Sequence, residues 1–422
     1  MSSLSNPSIE ASRSRPRLSE LPRNVWAVSF TSFFMDVSTE MVVNVLPLFL
    51  SNVLGVRTNV IGLIEGVAES TASLLKVFSG WFSDRLRARK WVAVAGYALS
   101  ALSKPFFYVA TSWEAVGIVR WADRFGKGIR TAPRDALVAD SVDAQQRGFA
   151  FGFQRAADTA GAFLGMVIAL GVVWLTQQAG STLNSDTFRA LVLISLIPAG
   201  LAVLSLALGA RDTPVLRQRP APTFAFRTLG KPFMIFMVIT AIFDLGNSSD
   251  AFLVLRAQER GVSVAGVLAM LVVFNLVYTL ASIPAGALSD RLGRRKLIIG
   301  GWLVYAAIYA GFGLAQEGWH IWALYAIYGL YYGLAFGTGK AMIADLVPEA
   351  TRGTAYGTHN AVLGILDLPA SLIAGVLWHG IGTWEGFGPS APFLFGSALA
   401  LAAALLMWRW RPTPVSAPTS DR

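Results

Sequence analysis

Five basic residues share one face of an otherwise apolar stretch of the chain, residues 113–138. At 100° per residue, these side chains fall within a 120° stripe of a helix. The five are Arg120, Arg124, Lys127, Arg130 and Arg134. Arginine offers a two-pronged donor that matches a carboxylate or phosphate, so the stripe could bind an anion. Asp123 and Asp135 in the same stretch leave three cations in excess, and other helices, water or a ligand must balance them.

Carboxylates in other apolar stretches are the candidate sites for proton or ion coupling. They are Asp36, Glu40, Asp158, Asp244, Asp250 and Asp367. Glu65 and Glu69, spaced at i and i+4, are further candidate partners for the cations. Burial disfavours an ionised carboxylate and a nearby arginine favours it, so a carboxylate whose arginine moves away can take up and release a proton. Na⁺ bound by Asp36 or Asp244 with neighbouring hydroxyl or amide oxygens remains an open alternative.

The composition places these charges in a membrane protein. Apolar residues make up 54% and charged residues 14%, whereas a soluble domain carries about 25% charged residues. The chain has no cysteine, and His320, His359 and His379 are too scattered for a metal cluster. The nearest match to a phosphate-binding loop, Gly339-Lys340, continues with alanine inside an apolar stretch. We therefore expect no metal, no cofactor, no ATP site and no enzymatic activity.

Twelve apolar windows follow one another between short polar breaks, and each is long enough to cross about 30 Å of hydrocarbon as a helix. Membrane strands would be alternating segments of only about 10 residues. The windows are 25–50, 59–82, 91–111, 113–138, 148–176, 187–209, 232–255, 262–288, 297–315, 319–343, 354–379 and 391–410. The fold class predicted is an all-α membrane protein with twelve transmembrane helices.

The polar segments predict the domain organisation. Residues 1–24 read as a disordered tail, 210–231 as a proline-containing linker and 411–422 as a second tail. They flank two groups of six windows, 25–209 and 232–410. If residue 1 is cytoplasmic, the cytoplasmic segments hold 21 Lys and Arg residues and the opposite segments hold three. This bias predicts that both termini are cytoplasmic, and it accounts for the net charge of +10 without nucleic acid.

The second group of windows repeats the first. Gly80, Asp84 and Arg85 after window two reappear as Gly286, Asp290 and Arg291 after window eight, and Asp36 has its counterpart in Asp244. A second run, Ala139-Asp140 with Arg147-Gly148, reappears as Ala344-Asp345 with Arg352-Gly353. Several matches at one offset predict two pseudo-symmetric six-helix bundles.

Over residues 25–410 the chain resembles the major facilitator superfamily of secondary transporters. The pattern that carries the resemblance is G-x-x-x-D-[RK]-x-G-[RK]-[RK], met in full by Gly286, Asp290, Arg291, Gly293, Arg294 and Arg295. The first copy departs from it, with Arg87 at the second glycine and Ala88 at the next cation. The resemblance implies a cytoplasmic gate at Gly80, Asp84, Arg85, Gly286, Asp290, Arg291, Arg294 and Arg295, although these cations could simply set the topology.

The resemblance also implies a central cavity lined by helices one, four, seven and ten. The candidate substrate-binding residues are Arg120, Arg124, Lys127, Asn247, Lys340 and Tyr328. The arginines could instead only neutralise carboxylates, and Tyr325, Tyr328 and Tyr332, on one stripe, could line the cavity or only pack. Arg130 and Arg134 lie near the predicted cytoplasmic end, where long basic side chains usually extend to the interface.

The function expected is alternating-access transport of a small polar, anionic organic solute, coupled to H⁺, in the bacterial cytoplasmic (inner) membrane. The partners expected are the solute, the coupling ion and the lipid bilayer, with the protein working as a monomer. A proton-driven exporter of amphipathic or cationic compounds is the main alternative, and the carboxylates of helices one and seven favour it. A membrane sensor that transports nothing is a third.

Overall fold

The structure is a computed structural model that describes residues 18–143, 146–177, 180–212, 229–348 and 351–410. The side chains of 282–292, 333–337 and 340 lie outside this description. Within the described residues the chain is helical, and its only β-type contact is a single bridge between Ile381 and Trp384. Most of the predicted linker and tails, residues 213–228, 1–17 and 411–422, also lie outside it. Residues 18–24 were predicted as disordered, which is wrong, because Leu18–Glu20 forms a 3-10 turn and the first helix begins at Arg23.

Twelve main helices follow one another in the described residues. They are α1 (Arg23–Val43), α2 (Thr58–Leu86), α3 (Arg89–Ser103), α4 (Trp113–Ala139), α5 (Arg147–Gln177), α6 (Ser185–Gly209), α7 (Gly230–Leu245), α8 (Val264–Leu292), α9 (Arg294–Leu314), α10 (Gly318–Leu346), α11 (Arg352–His379) and α12 (Ala391–Arg409).

Three helices are interrupted where the sequence windows were continuous. After α1 the chain continues as Leu46–Leu48 and a π-helical turn, Phe49–Val53, and after α3 as Pro105–Val109. Pro47 and Pro105 lack the N–H that would continue each helix. After α7 the backbone leaves the helix at 246–250 and resumes as Ala251–Glu259. The run Gly-Asn-Ser-Ser-Asp at this point favours turns, because its short polar side chains compete for backbone groups. We call 246–250 the α7 break.

Eight of the described helices are long and apolar enough to cross a membrane by length and composition alone. Helices α2 and α4 are long enough and are not among the eight, and α4 carries seven ionisable residues from Arg120 to Asp135. Both pack on neighbouring helices, and the buried Arg120 of α4 pairs with Glu65 of α2. Charge buried between helices is the arrangement expected of a membrane protein with a polar interior.

The helices pack as two groups that meet along two seams. In the first half α1 packs on α5 and α6, and α4 packs on α2 and α3. In the second half α8 and α9 pack on α10, and α12 packs on α9 and α7. The halves meet where α2 crosses α11 and where α5 meets α8.

Glycine allows the α2–α11 crossing to be close. A Cβ atom on Gly62 would lie 2.3 Å from the carbonyl oxygen of Ser371, and one on Gly375 would lie 2.6 Å from the Thr58 oxygen. Beside it the hydroxyl of Thr58 lies 2.7 Å from Nδ1 of His379. This contact lies at the end of the molecule away from the termini, which we call the far end. Small residues permit this kind of backbone approach between membrane helices.

The internal repeat is visible in an ion pair that occurs in both halves. Arg89 lies against Asp140 and donates to Asp84 at 2.7 Å, and 205 residues later Arg294 lies against Asp345. The turn before each arginine has a positive φ, of 51° at Arg87 and 84° at Gly293. Glycine adopts this conformation readily, and Arg87 adopts it in the copy that departs from the family pattern.

Asp84 pairs with Arg89, which was not among the predicted gate residues. Arg85 is exposed and its guanidinium lies over the ring of Trp81, 5.6 Å from the centroid. Arg295, another predicted gate residue, donates to the backbone carbonyls of Met407 and Trp408 and so caps the end of α12. Gly80 is buried in α2. The side chains of the remaining predicted gate residues, Gly286, Asp290 and Arg291, lie outside the described part of the chain.

Candidate functional site

A cavity of about 430 Å³ lies between the two halves. From the first half it is lined by α1, α2 and α4, and from the second half by the α7 break, α8, α10 and α11. Helices one, four, seven and ten were expected to line it, and α2, α8 and α11 also contribute. We call this space the central cavity.

The first-half wall is a network of two arginines and two glutamates. Arg120 is 2% exposed and binds Glu65 through two nitrogens, Nε to Oε1 at 3.1 Å and Nη2 to Oε2 at 2.7 Å. Nη2 of Arg120 also reaches Oε1 of Glu69 at 3.3 Å, and Nε of Arg124 lies 3.0 Å from the same oxygen. One carboxylate oxygen of Glu69 therefore serves both arginines.

The two glutamates supply part of the negative charge that the three excess cations were expected to need from other helices. Glu65 and Glu69 are four residues apart on α2, and Arg120 and Arg124 are four residues apart on α4, so the pairs face each other one helical turn apart. This matched spacing was the sequence signal for the network. Glu69 was named from the sequence only as a possible partner for the cations, and its side chain is 36% exposed, on the cavity wall.

Arg130 and Arg134, the C-terminal part of the basic stripe, do not line the central cavity. Arg130 is buried, donates to the hydroxyl of Ser100 at 2.6 Å and stacks over the ring of Tyr97. Arg134 is partly buried and bonds Asp135 at 2.8 Å. The expectation that both extend to the membrane interface is therefore wrong, because α1 and α3 supply acceptors and an aromatic face inside the bundle.

Two lysines complete the first half. Lys127 is half-buried one turn below Arg124 and, within the described residues, makes no hydrogen bond or ion pair. Lys104 is 2% exposed and donates to the hydroxyls of Ser38 at 2.5 Å and Thr39 at 3.1 Å. Sequence reasoning missed Lys104, because it sits at the break after α3 with no charged neighbour along the chain.

The second-half wall is built from the α7 break. Asn247, Ser248, Ser249 and Asp250 all line the central cavity. Neighbouring helices hold this segment, since Ser249 N–H donates to Ser371 Oγ at 3.2 Å and Tyr305 Oη donates to the Gly246 carbonyl at 3.3 Å and to Asn247 Oδ1 at 3.1 Å. Non-helical backbone is tolerated inside a membrane protein where it lines a polar cavity.

Aromatic rings surround this wall. Phe274, Tyr325 and Tyr332 line the central cavity. Tyr328 was predicted to bind substrate directly, and it does not line this cavity. It is fully buried against Tyr305, Tyr309 and Tyr331, and its hydroxyl donates to Asp250 Oδ1 at 3.4 Å. Tyr328 therefore positions a wall residue.

A second cavity of about 610 Å³ continues toward the end where the termini lie. Asn247, Tyr332 and Asp367 line both cavities. The second one is also lined by Asp244 and by Lys76. A row of polar groups therefore extends from the central cavity toward the terminal end.

The remaining predicted coupling residues lie on α1 and α5. Glu40 lines the central cavity and accepts a hydrogen bond from Asn44 at 2.9 Å. Asp36 is half-buried and borders neither cavity as described above. Both oxygens of Asp158 accept from Gln154, at 2.9 and 2.8 Å. The side chain of the predicted substrate residue Lys340 lies outside the description.

The described residues contain no group of three or more histidine, aspartate or glutamate side chains placed to hold a metal ion. The charged side chains of the cavity wall can pair with one another or with a charged solute. Arginines, carboxylates and hydroxyls face a space large enough for one small solute, since ligand pockets measure about 300–1,000 Å³.

Comparison with known proteins gives one family. The sequence profile of the Major Facilitator Superfamily matches residues 28–245 and 233–422. An uncharacterised MFS-type transporter of Methanocaldococcus jannaschii is 36% identical over 401 residues, covering 92% of this chain and 95% of that protein. The cis,cis-muconate transport protein of Acinetobacter baylyi is 25% identical over 317 residues, covering 70% of this chain and 73% of that protein. The crystal structure of a D-xylose-proton symporter superposes with a TM-score of 0.74 at 16% identity, covering 92% of this chain and 98% of that one.

Proposed function

This chain belongs to the major facilitator superfamily, a family of multi-pass membrane transporters, and we propose that it moves a small organic anion together with protons. One observation carries the proposal: Glu69 on the wall of the central cavity is shared by Arg120 and Arg124. A carboxylate that two arginines share competes with any anionic solute for the same donors.

The shared carboxylate gives a coupling mechanism. While Glu69 is ionised it occupies Arg124, and a second anion beside it is disfavoured by like-charge repulsion. Because two arginines hold Glu69 in its ionised form, it takes up a proton only when an arriving anion displaces it from Arg124. The anion then binds Arg124 in place of the carboxylate, so one proton and one anion enter the cavity together.

The surroundings of the pair support this exchange. Glu65 continues to hold Arg120 through two hydrogen bonds, so the wall keeps its shape when Glu69 is neutral. Lys127, which lacks a described partner, adds positive charge one turn away on α4. The name of the muconate transport protein states a dicarboxylate as its solute, which supports an anionic solute for this chain.

The test is transport in proteoliposomes with imposed pH and Na⁺ gradients, using small mono- and dicarboxylates. We expect an inward proton gradient to drive accumulation of an anion in the unaltered protein. Glu69→Gln should lose gradient-driven accumulation and keep solute exchange at zero gradient, because its neutral side chain mimics the protonated state. Arg124→Gln should lose both, since it removes the anion's ligand.

Glu114→Gln is the matched control, because Glu114 is exposed in the first turn of α4 and lines neither cavity. It should transport like the unaltered protein. Gradient-driven accumulation by Glu69→Gln at the unaltered rate would contradict the coupling mechanism. Accumulation driven by a Na⁺ gradient alone would show that Na⁺, and not H⁺, is the coupling ion.

Proton-driven export of organic cations is the second candidate. It is favoured by Asp244, Asp250 and Asp367, which have no lysine or arginine within 4 Å among the described residues, and by the aromatic rings beside Asp250. Extrusion of lipophilic cations that is indifferent to Arg124→Gln would select this function over the first.

A further inference from the structure

We infer that the solute is dipolar: it carries a basic amine as well as its acidic group, with the acid at Arg124 and the amine at Asp250. This inference rests on the proposed function and adds a substrate class to it. The two opposite walls of the central cavity carry it, because the first has arginines and the second has carboxylates without a described cation partner, facing the same space.

The charges of the first wall are already matched with one another. Arg120 binds Glu65 and Glu69, and Arg124 binds Glu69. When Glu69 is neutralised or displaced, Arg124 still faces the cavity with a positive charge, and the nearest remaining carboxylate, Asp123, lies 3.9 Å away and does not line the cavity. That end of the site therefore selects an acidic group.

The charges of the second wall are not matched. Asp250 and Asp367 both line the central cavity, and within the described residues neither has a lysine or arginine partner. Their side-chain partners are hydroxyls, Tyr328 on Asp250 and Ser73 on Asp367. Two carboxylates that face a cavity and have no cationic partner favour the binding of a cation there.

The surroundings of Asp250 suit an organic ammonium group. Asn247 and Ser248 offer further oxygens on the same wall, enough for the three N–H donors of an ammonium. Phe274, Tyr325 and Tyr332 line the same cavity, and aromatic rings favour a cation over their faces. A solute with acidic groups only would leave this wall unmatched, whereas an amino acid or another small amino-carboxylate matches both walls.

The experiment compares compounds that differ by one charged group. The first set is phenylalanine, 3-phenylpropionate and phenethylamine, and the second is 5-aminopentanoate, pentanoate and pentylamine. Binding is measured by calorimetry on the purified full chain and transport by counterflow in proteoliposomes. We expect the amino acid of at least one set to bind about tenfold more tightly than both of its single-charge analogues.

Variants locate the amine. Asp250→Asn should weaken amino-acid binding about tenfold and change binding of the acid-only analogue less than about twofold. Asp186→Asn is the control, because Asp186 is 95% exposed at the start of α6. Asp367→Asn tests the same wall should Asp250→Asn fail to fold, with monodispersity on gel filtration as the criterion of folding.

The outcomes separate this inference from the proposed function. If the acid-only compounds bind as well as the amino acids, or Asp250→Asn and Asp367→Asn leave amino-acid binding unchanged, the inference is wrong and the anion transporter stands. If amine-only compounds bind best, both are wrong and the cation exporter is selected. If no amino-carboxylate binds, the inference is overturned.

Discussion

The effect of a buried charged residue in this protein depends on its ion-pair partner. Arg120 illustrates this, since its guanidinium is 2% exposed and Glu65 takes two of its nitrogens. Removing one member of a buried pair leaves the other charged and unpaired, which typically costs about 3–5 kcal/mol. Removing both members together leaves no orphan charge. The Arg120–Glu65 pair therefore stabilises the protein only when both side chains are present.

We predict that Arg120→Gln lowers the thermal stability of the purified protein strongly, by an amount equivalent to about 3 kcal/mol or more. The double change Arg120→Gln with Glu65→Gln should recover most of that loss, because two amides of matching size replace the pair. Thermal unfolding in detergent measures both. A double variant as unstable as Arg120→Gln alone would show that the arginine acts through something other than Glu65.

The sequence located the charged residues well and their partners poorly. Spacing on an ideal helix places Arg124 and Arg130 on one stripe, but it cannot tell which neighbouring helix each one meets. Arg130 meets α3, at Ser100 and Tyr97, while Arg124 meets α2. Likewise Arg85 follows Asp84 directly, so the two point about 100° apart on the helix. The left-handed turn at Arg87 returns Arg89 to Asp84 instead.

The sequence predicts where most helices lie, but not where α7 is interrupted or which helices pack together. Long apolar stretches between charged loops fix most helices to within a few residues. A hydropathy window averages over the Gly-Asn-Ser-Ser-Asp run and so predicted α7 as unbroken, although the run itself is a turn signal. The α2–α11 crossing depends on glycines of two distant segments facing each other, and nothing in either segment alone identifies its partner.

We predict that Gly62→Ala separates α2 from α11 at the far end, because its Cβ would lie 2.3 Å from the Ser371 carbonyl oxygen, a backbone atom. The chain has no natural cysteine, so Val43→Cys, on the lining of the central cavity, can report opening by its rate of maleimide labelling. We expect the rate to rise about tenfold in the Gly62→Ala background.

Gly171→Ala is the matched control for this prediction. Gly171 is also a helical glycine, and a Cβ there has no atom within 4 Å. Its labelling rate should equal that of the Val43→Cys parent. Equal rates for Gly62→Ala and Gly171→Ala would show that the crossing does not hold the far end closed.

At the scale of the whole molecule the two halves have diverged in chemistry while keeping one scaffold. The repeated ion pairs, Arg89 with Asp140 and Arg294 with Asp345, hold corresponding places in each half. The first half supplies the described cations of the central cavity and the second half supplies its aromatic rings. At the far end they are joined by Thr58 with His379 and by Asn59 with the Gly380 carbonyl.

We predict that joining the halves at this point arrests transport. In Thr58→Cys with His379→Cys, a short reversible thiol cross-linker should abolish counterflow, and reductant should restore it, because rocking of the halves requires this contact to open. Each single-cysteine variant with the same reagent is the control. Full transport by the cross-linked protein, with cross-linking verified by mass spectrometry, would place the moving contact elsewhere.

The α7 break has a consequence for how this protein should be dissected. The residues 247–250 lie outside regular helix and line the cavity, and their main-chain amides and carbonyls persist whichever side chain is attached. An alanine scan would therefore underestimate the contribution of this segment to solute binding. Amide-to-ester replacement at Ser248 and Ser249, which deletes one N–H at a time, is the perturbation that reveals what the peptide groups themselves contribute.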